Sequence, residues 1–423
     1  MNPIPRMLAA ALASACLAAG LARAGEPLGA SIDGLLAHAR ANSSEFAAQR
    51  FEAEAAAERV IPAGALADPT LRTELRNVTN EGRDASPNLL PPRIGSTKYT
   101  VIQPVPFWGK RDLKREAAEA AAEEAQGRAA GNWADIAARI KIAYVQYYQV
   151  ARTQRYAREV LELVDHLGAV ARARYAGGLV PQQDAIRAEV ETTAMKSELI
   201  ALETARHHAM IRINALLARP STAPLAEPER LRPLPAPARL DFAALEQQAR
   251  ARNPQLFAEE ARIRAAEKTR ELVYRNRFPD FALGVSPIQT RNRVGEWELM
   301  VEMNIPLQQE SRRSQEREAE KNLEAARARR DSTANLALAE LSEGLATLES
   351  ARRIEMLTRT SLLPQAELTF EAALAGYETG KVDFATVLDA QRQIRRAKQE
   401  LIRSQAEQQT RLAEIERIVG EDL

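Results

Sequence analysis

The sequence predicts an α+β, mostly α, fold in which one structural unit is written twice. Three observations carry the prediction: an internal repeat, four short strands of period two, and proline-free stretches too long for the helices of a compact domain.

Residues 1–24 contain an early Arg6, an apolar run over 7–22 and Ala22-Arg23-Ala24 before Gly25, the pattern of a secretory signal. The mature chain is therefore expected to be exported. Cys16 is the only cysteine and lies inside that segment, so a chain cleaved after Ala24 holds neither a disulfide nor a Cys-bound metal. With Leu12-Ala13-Ser14-Ala15 before it, Cys16 is alternatively a lipidation site, although Ala13 stands where such a site normally has leucine. No later stretch approaches ~20 consecutive apolar residues, which leaves the periplasm, secretion or a β-strand seat in the outer membrane. The chain is 27% charged, 5% aromatic and carries a net +1, a balance that gives no electrostatic case for nucleic acid.

The chain carries an internal repeat. Asn42-Ser43-Ser44-Glu45-Phe46-Ala47 is echoed by Asn253-Pro254-Gln255-Leu256-Phe257-Ala258, and Pro104-Val105-Pro106-Phe107 by Asn304-Ile305-Pro306-Leu307. Tyr175-Ala176-Gly177-Gly178-Leu179-Val180 is echoed in turn by Tyr377-Glu378-Thr379-Gly380-Lys381-Val382. Each echo lies roughly 200 residues downstream, and the order is kept. The spacing shrinks after the first pair, so the first half has a longer loop between residues 47 and 104. Residues 219–239 hold Pro220, Pro224, Pro228, Pro233, Pro235 and Pro237, which forbid a continuous helix and mark a crossover linker. The expected organisation is a signal at 1–24, a first repeat at 25–218, the linker at 219–239 and a second repeat at 240–423.

Within the first half, Leu71, Thr73 and Leu75 alternate with Arg72, Glu74 and Arg76, and Tyr99, Val101 and Val105 supply one face of a second strand. In the second half, Phe281, Leu283 and Val285 alternate with small residues, and Trp297, Leu299, Val301, Met303 and Ile305 alternate with Glu296, Glu298, Glu302 and Asn304, broken only by Met300. One apolar and one charged face suits a strand between lipid and a watery lumen, and equally a soluble half-buried sheet. From 108 to 180 there is no proline, and Ala, Glu, Arg, Gln and Leu dominate; an unbroken helix there would reach roughly 100 Å. Partial heptads at Leu199, Leu202, Ala209, Ile213 and Leu216, and at Ile394, Ala397, Leu401, Ile415 and Ile418, predict helices packed along one another, with Arg206, Ser404, Gln408 and Arg411 interrupting the seams. Four strands cannot close a barrel, and an open edge cannot be left in lipid, so three copies giving twelve strands above a helical tube is the expected assembly.

At this point the chain resembles the TolC family of outer-membrane factors over about residues 30–418. The resemblance is carried by Gln103-Pro104-Val105-Pro106-Phe107-Trp108-Gly109-Lys110-Arg111, by the doubled Tyr-x-x-Gly turn, and most specifically by Leu363-Pro364-Gln365-Ala366 followed by Gly376-Tyr377-Glu378-Thr379-Gly380-Lys381-Val382-Asp383 and Val387-Leu388-Asp389-Ala390. It implies a homotrimer with a twelve-stranded outer-membrane barrel on a periplasmic helical tunnel, working with a membrane-fusion adaptor and an inner-membrane pump of the RND type. It also implies a periplasmic tip, where the tunnel narrows and the adaptor docks, made of Tyr175, Gly178, Asp184 and Arg187 with Tyr377, Gly380, Thr386 and Asp389. The family's best-known member pairs two aspartates where this chain has Thr386 and Asp389, so a cation-sensitive ring would carry fewer carboxylates. Asp389 alternatively faces solvent or pairs with a nearby arginine.

Ala65-Leu66-Ala67-Asp68-Pro69-Thr70-Leu71 and Phe107-Trp108-Gly109-Lys110-Arg111 look most like the heavy-metal efflux branch of CzcC type, with Ala67 where that branch usually has proline. No metal or other cofactor site is expected: His38, His166, His207 and His208 form no i, i+4 pair, and a duct should not hold its cargo tightly. Other readings are a duct for drugs or a secreted polypeptide, and a periplasmic coiled-coil scaffold or adaptor. An enzyme is not expected, because the mature chain has no Gly-rich phosphate loop, no Gly-x-Ser-x-Gly and no cysteine nucleophile.

Overall fold

A computed structural model describes residues 28–78, 89–91 and 94–423. The signal segment and Cys16 lie outside the described residues. The chain divides into two compact units, and each draws on both halves of the repeat: residues 45–133 with 246–340, and the chain to Ser44 with 134–245 and 341–423. Helices as long as those expected are what makes a repeat contribute to more than one unit. Helix α4, Lys110–Ala176, follows α1 (Ile32–Asn42), α2 (Ser44–Glu58) and α3 (Val60–Gly64) and runs unbroken for 67 residues. That length corresponds to about 100 Å.

The unit formed by 45–133 and 246–340 carries the only sheet among the described residues. Its strands are β1 (Thr70–Arg76), β2 (Ser96–Val105), β3 (Phe281–Thr290) and β4 (Arg293–Met303), antiparallel throughout and ordered β1-β2-β3-β4. A tight turn at Arg291 and Asn292 joins β3 to β4, while residues 77–95 join β1 to β2, which is where the first half carries its extra length. The register aligns Leu71, Val101, Val285 and Leu299 in one row, with Leu283 opposite Val301 and Phe281 opposite Met303. That apolar face is open: Leu299 is 85% exposed, and Leu71, Val101, Leu283, Trp297 and Val301 are exposed with it. On the other face the Thr100 and Ser286 hydroxyls bond at 2.9 Å, and Lys98 pairs with Glu298 at 2.5 Å. A soluble half-buried sheet would hide its apolar side; this one hides part of its polar side.

The sheet meets the helices through a polar knot. Asp280 accepts from the Phe107 amide and from Lys110, both at 2.8 Å, while the Asn304 side chain accepts from the Asp280 amide at 2.6 Å. Phe107 stacks on Phe278 with ring centres 4.6 Å apart. Arg277, just after α7 (Pro254–Arg275), holds Glu316 of α8 (Gln309–Leu357) with two bonds of 2.6 Å. Phe107 and Lys110 of the first half are thereby tied to Phe278 and Asp280 of the second.

In the other unit, α5 (Gln182–Leu216), α9 (Leu363–Glu378) and α10 (Phe384–Val419) pack with the later parts of α4 and α8. A wider turn at Thr358–Leu362 separates α8 from α9, where the Leu363 amide reaches the Thr358 carbonyl five residues back. Pro364, which has no N–H to continue the ladder, stands next to it. Of the polar residues interrupting the α10 seam, Gln408 and Ser404 are buried and bonded, Gln408 donating to Glu355 at 2.6 Å and Ser404 to the Leu401 carbonyl at 3.0 Å. The linker at 219–239 has no α-helix, only a short 3-10 turn at Pro237–Leu240, and Arg232 within it reaches Glu416 of α10 at 2.5 Å. Between Phe242–Arg252, here α6, and the start of α7, Asn253 caps the helix by accepting from the Gln255 and Leu256 amides.

Candidate functional site

The two Tyr-x-x-Gly segments form the two helix reversals of this second unit, α4 to α5 and α9 to α10. Each closes in the same way: Gly178 and Gly380 have φ of +72° and +75°, and the following amide returns five residues, Leu179 to the Arg174 carbonyl at 2.9 Å and Lys381 to the Gly376 carbonyl at 2.8 Å. A helix end of this type needs a residue tolerant of positive φ. At both glycines a Cβ would meet nothing within 4 Å, so backbone conformation alone selects them.

Equivalent sequence does not give equivalent environment. Tyr175 is 44% exposed, whereas Tyr377 is 3% exposed. Arg174 makes the difference, lying 4.9 Å over the Tyr377 ring and donating to the Tyr377 carbonyl at 2.9 Å and the Glu378 carbonyl at 3.2 Å. It thus caps the C-terminal end of α9 with a positive charge, a favourable position against the helix dipole. The Phe384 ring also packs against it, tilted, with centroids 5.4 Å apart. Burial pushes the Tyr377 hydroxyl pKa up, with Asp184 adding to the shift and Arg174 opposing it.

The charged residues of the reversals form a graded set. Asp184 is 4% exposed, and burial raises its carboxyl above the ordinary range; Arg187 opposes that shift and Asp383 reinforces it. Asp383 caps α10, accepting from the Thr386 hydroxyl at 2.6 Å and amide at 3.0 Å, which holds its pKa below the usual value. Arg187 bridges toward Asp383 at 3.8 Å. Thr386 is therefore a capping partner. Asp389 pairs with Arg392 at 3.2 Å, and Arg392 also holds the buried Glu191 at 2.5 Å. All eight predicted residues lie at the two reversals or within the first two turns of the helices that follow them. The structure adds Arg174, Asp383, Glu191 and Arg392, of which Asp383 had a readable signal in its N-cap position three residues before Thr386.

The two aspartates give opposite pH dependences. Asp184, with its raised pKa, contributes stability that is full below the ordinary carboxylate value and lost as pH rises through its own. Asp383, with its lowered pKa, contributes stability present above the ordinary value and lost as pH falls through its own. Asp184→Asn is expected to leave the α9–α10 reversal at least as protected at neutral pH and to flatten the change between the ordinary Asp pKa and the raised one. Amide hydrogen exchange over 373–390 at pH 4 and 7 measures this, and an unchanged pH dependence would refute it.

Among the described residues no group of three or more His, Cys, Asp or Glu side chains could hold a metal ion, and His166, His207 and His208 are exposed. No helix among them is long and apolar enough to cross a membrane.

Against known proteins, the family described as "Outer membrane efflux protein" matches residues 35–219 and 245–421. The chain belongs to the outer membrane efflux protein family. The two matched segments follow the two halves of the repeat and leave out the proline-rich linker. The pyoverdine export outer membrane protein OpmQ of Pseudomonas aeruginosa is 23% identical over 408 residues, covering 92% of this chain and 83% of the relative. Similar solved structures include CusC, at TM-score 0.79 and 16% identity over 92% of each chain. The outer membrane protein VceC of Vibrio cholerae matches at TM-score 0.77 and 16% identity, over 92% of this chain and 96% of that one. Membership places the chain in the outer membrane, with its helices in the periplasm, as an efflux channel protein.

Proposed function

We propose that three copies of this chain close a twelve-stranded barrel and form the passive exit duct of a tripartite efflux system, with a periplasmic adaptor and an inner-membrane RND pump as partners. The observation that carries the reading is the four-stranded sheet with an open apolar face and no partner for the outer edges of β1 and β4 among the described residues. In lipid those edges require another chain, because unsatisfied backbone groups there cost several kcal/mol each. The α4–α5 and α9–α10 reversals, with Tyr175, Gly178, Asp184, Arg187, Tyr377, Gly380, Thr386 and Asp389, are the proposed adaptor-docking tip. The duct conducts and does no covalent chemistry.

Heavy-metal cations are the proposed cargo, on the strength of the CzcC-like Ala65-Leu66-Ala67-Asp68-Pro69-Thr70-Leu71 and Phe107-Trp108-Gly109-Lys110-Arg111 segments. Export of an organic molecule is the second reading, favoured by the likeness to a pyoverdine export protein. Growth of a deletion strain, with and without the gene restored, on graded zinc, cobalt, cadmium, copper and silver beside a drug panel separates them. Loss of tolerance to metals alone supports the first reading, and drug sensitivity without metal sensitivity overturns it.

A further inference from the structure

The apolar face of the sheet does not stop at the last strand row. Trp108, just beyond β2, is 76% exposed, and its ring lies 6.3 Å from that of Phe281, which pairs with Val105 and Met303 in the row nearest the helices. Ile305 and Leu307, just beyond β4, continue the exposed apolar surface.

Two arginines lie near Trp108, Arg275 bonded to its carbonyl and Arg111 three residues along the chain. Arg275 donates to the Trp108 carbonyl at 2.8 Å, an approach that requires Gly109, since a Cβ there would lie 2.4 Å from the guanidinium. Arg111 donates two bonds, 2.9 and 2.8 Å, to the Gly64 carbonyl. Among the described residues neither has a carboxylate within 4.0 Å, in contrast to Arg277, which is fully engaged by Glu316. An exposed indole at the end of a lipid-facing band, with arginines whose only acceptors are neutral carbonyls, suits one environment in particular. The indole prefers the headgroup level of a bilayer, and the planar guanidinium matches phosphate oxygens.

We propose that Trp108, flanked by Arg275 and Arg111, seats the helix-side end of the sheet at the phospholipid headgroup layer, the two arginines taking the phosphate of anionic lipid. The inference rests on the sheet standing in lipid, and the test separates the two.

The intact protein is placed in phosphatidylethanolamine–phosphatidylglycerol vesicles carrying a fluorescence quencher either at the headgroup or deep in the acyl chain. The contributions of Trp108 and Trp297 are read as differences between wild type and Trp108→Phe or Trp297→Phe. Trp108 emission is expected to be quenched about two-fold more by the headgroup label than by the chain label, with the reverse for Trp297. Headgroup quenching of Trp108 is expected to be stronger when phosphatidylglycerol carries the label, and equal for both lipids in Arg111→Gln/Arg275→Gln. Quenching of Trp297 without any of Trp108 would overturn the proposal while leaving the sheet in lipid, and point to protein covering Trp108. No quenching of either would overturn both readings. Equal quenching by the two labelled lipids in wild type would overturn the role of the arginines.

Discussion

Leu299→Arg is expected to block stable residence in the outer membrane. Leu299 lies in the middle of β4, in the row with Leu71, Val101 and Val285, and is the most exposed of the large apolar residues. A guanidinium on a lipid-facing strand costs about 2–4 kcal/mol at the bilayer midplane, and the cost recurs in every copy of a symmetric barrel. Neighbouring Glu296 is on the opposite, charged face, opposite Ile288, so Glu296→Gln should change residence little. Outer-membrane fractionation with immunodetection compares the two. Equal amounts of both variants in the membrane would mean that the apolar face does not meet lipid.

Glu416→Ala is the largest stability loss expected in the helical unit. The Glu416 side chain is 2% exposed and takes three charged or backbone partners: Lys141 at 2.7 Å, Arg232 of the linker at 2.5 Å and the Leu423 amide at 3.0 Å. Lys141, 7% exposed, also meets Asp422. Removing the carboxylate strands Lys141 with one acceptor and releases Arg232, and breaking a buried pair in this way costs about 3–5 kcal/mol. Glu407→Ala, which removes a partly exposed pair with Arg411 one turn away on the same helix, should cost under about 1 kcal/mol. Denaturant midpoints of the two variants in detergent decide the point. Equal losses would contradict the buried-charge account.

The sequence carried more of the fold than of the site. Alternation over Leu71 to Leu75 and Trp297 to Met303 identified strands, and the absence of proline from 108 to 180 identified α4, because both signals are local periods that packing does not overrule here. Which face of the sheet is covered was not legible, since a soluble sheet and a membrane sheet write the same alternation; the exposure of Leu299 and Trp297 resolves it. At the reversals the paired glycines were legible because positive φ is a property of the residue itself. The unequal burial of Tyr175 and Tyr377 was not, although its cause is in the sequence. Arg174 occupies the position where the second half has Gly376, and Phe384 the position where the first half has Gln182, so Tyr377 receives both a cation and a ring that Tyr175 has no equivalent residues to supply. The burial of Asp184 depends on long-range packing of α5 among its neighbours, for which a single carboxylate in a helical stretch gives no sign. Cargo is the least legible property, because a passive duct need not carry a tight binding site that motif or geometry could reveal.

In the proposed duct, other copies of the same chain complete the edges of this sheet. The most direct measurement is the mass of the protein extracted intact from outer membranes, by native mass spectrometry in detergent. Three chains per particle are expected, reduced to single chains only after denaturation. A particle containing one chain, with the same sheet, would contradict the proposed duct.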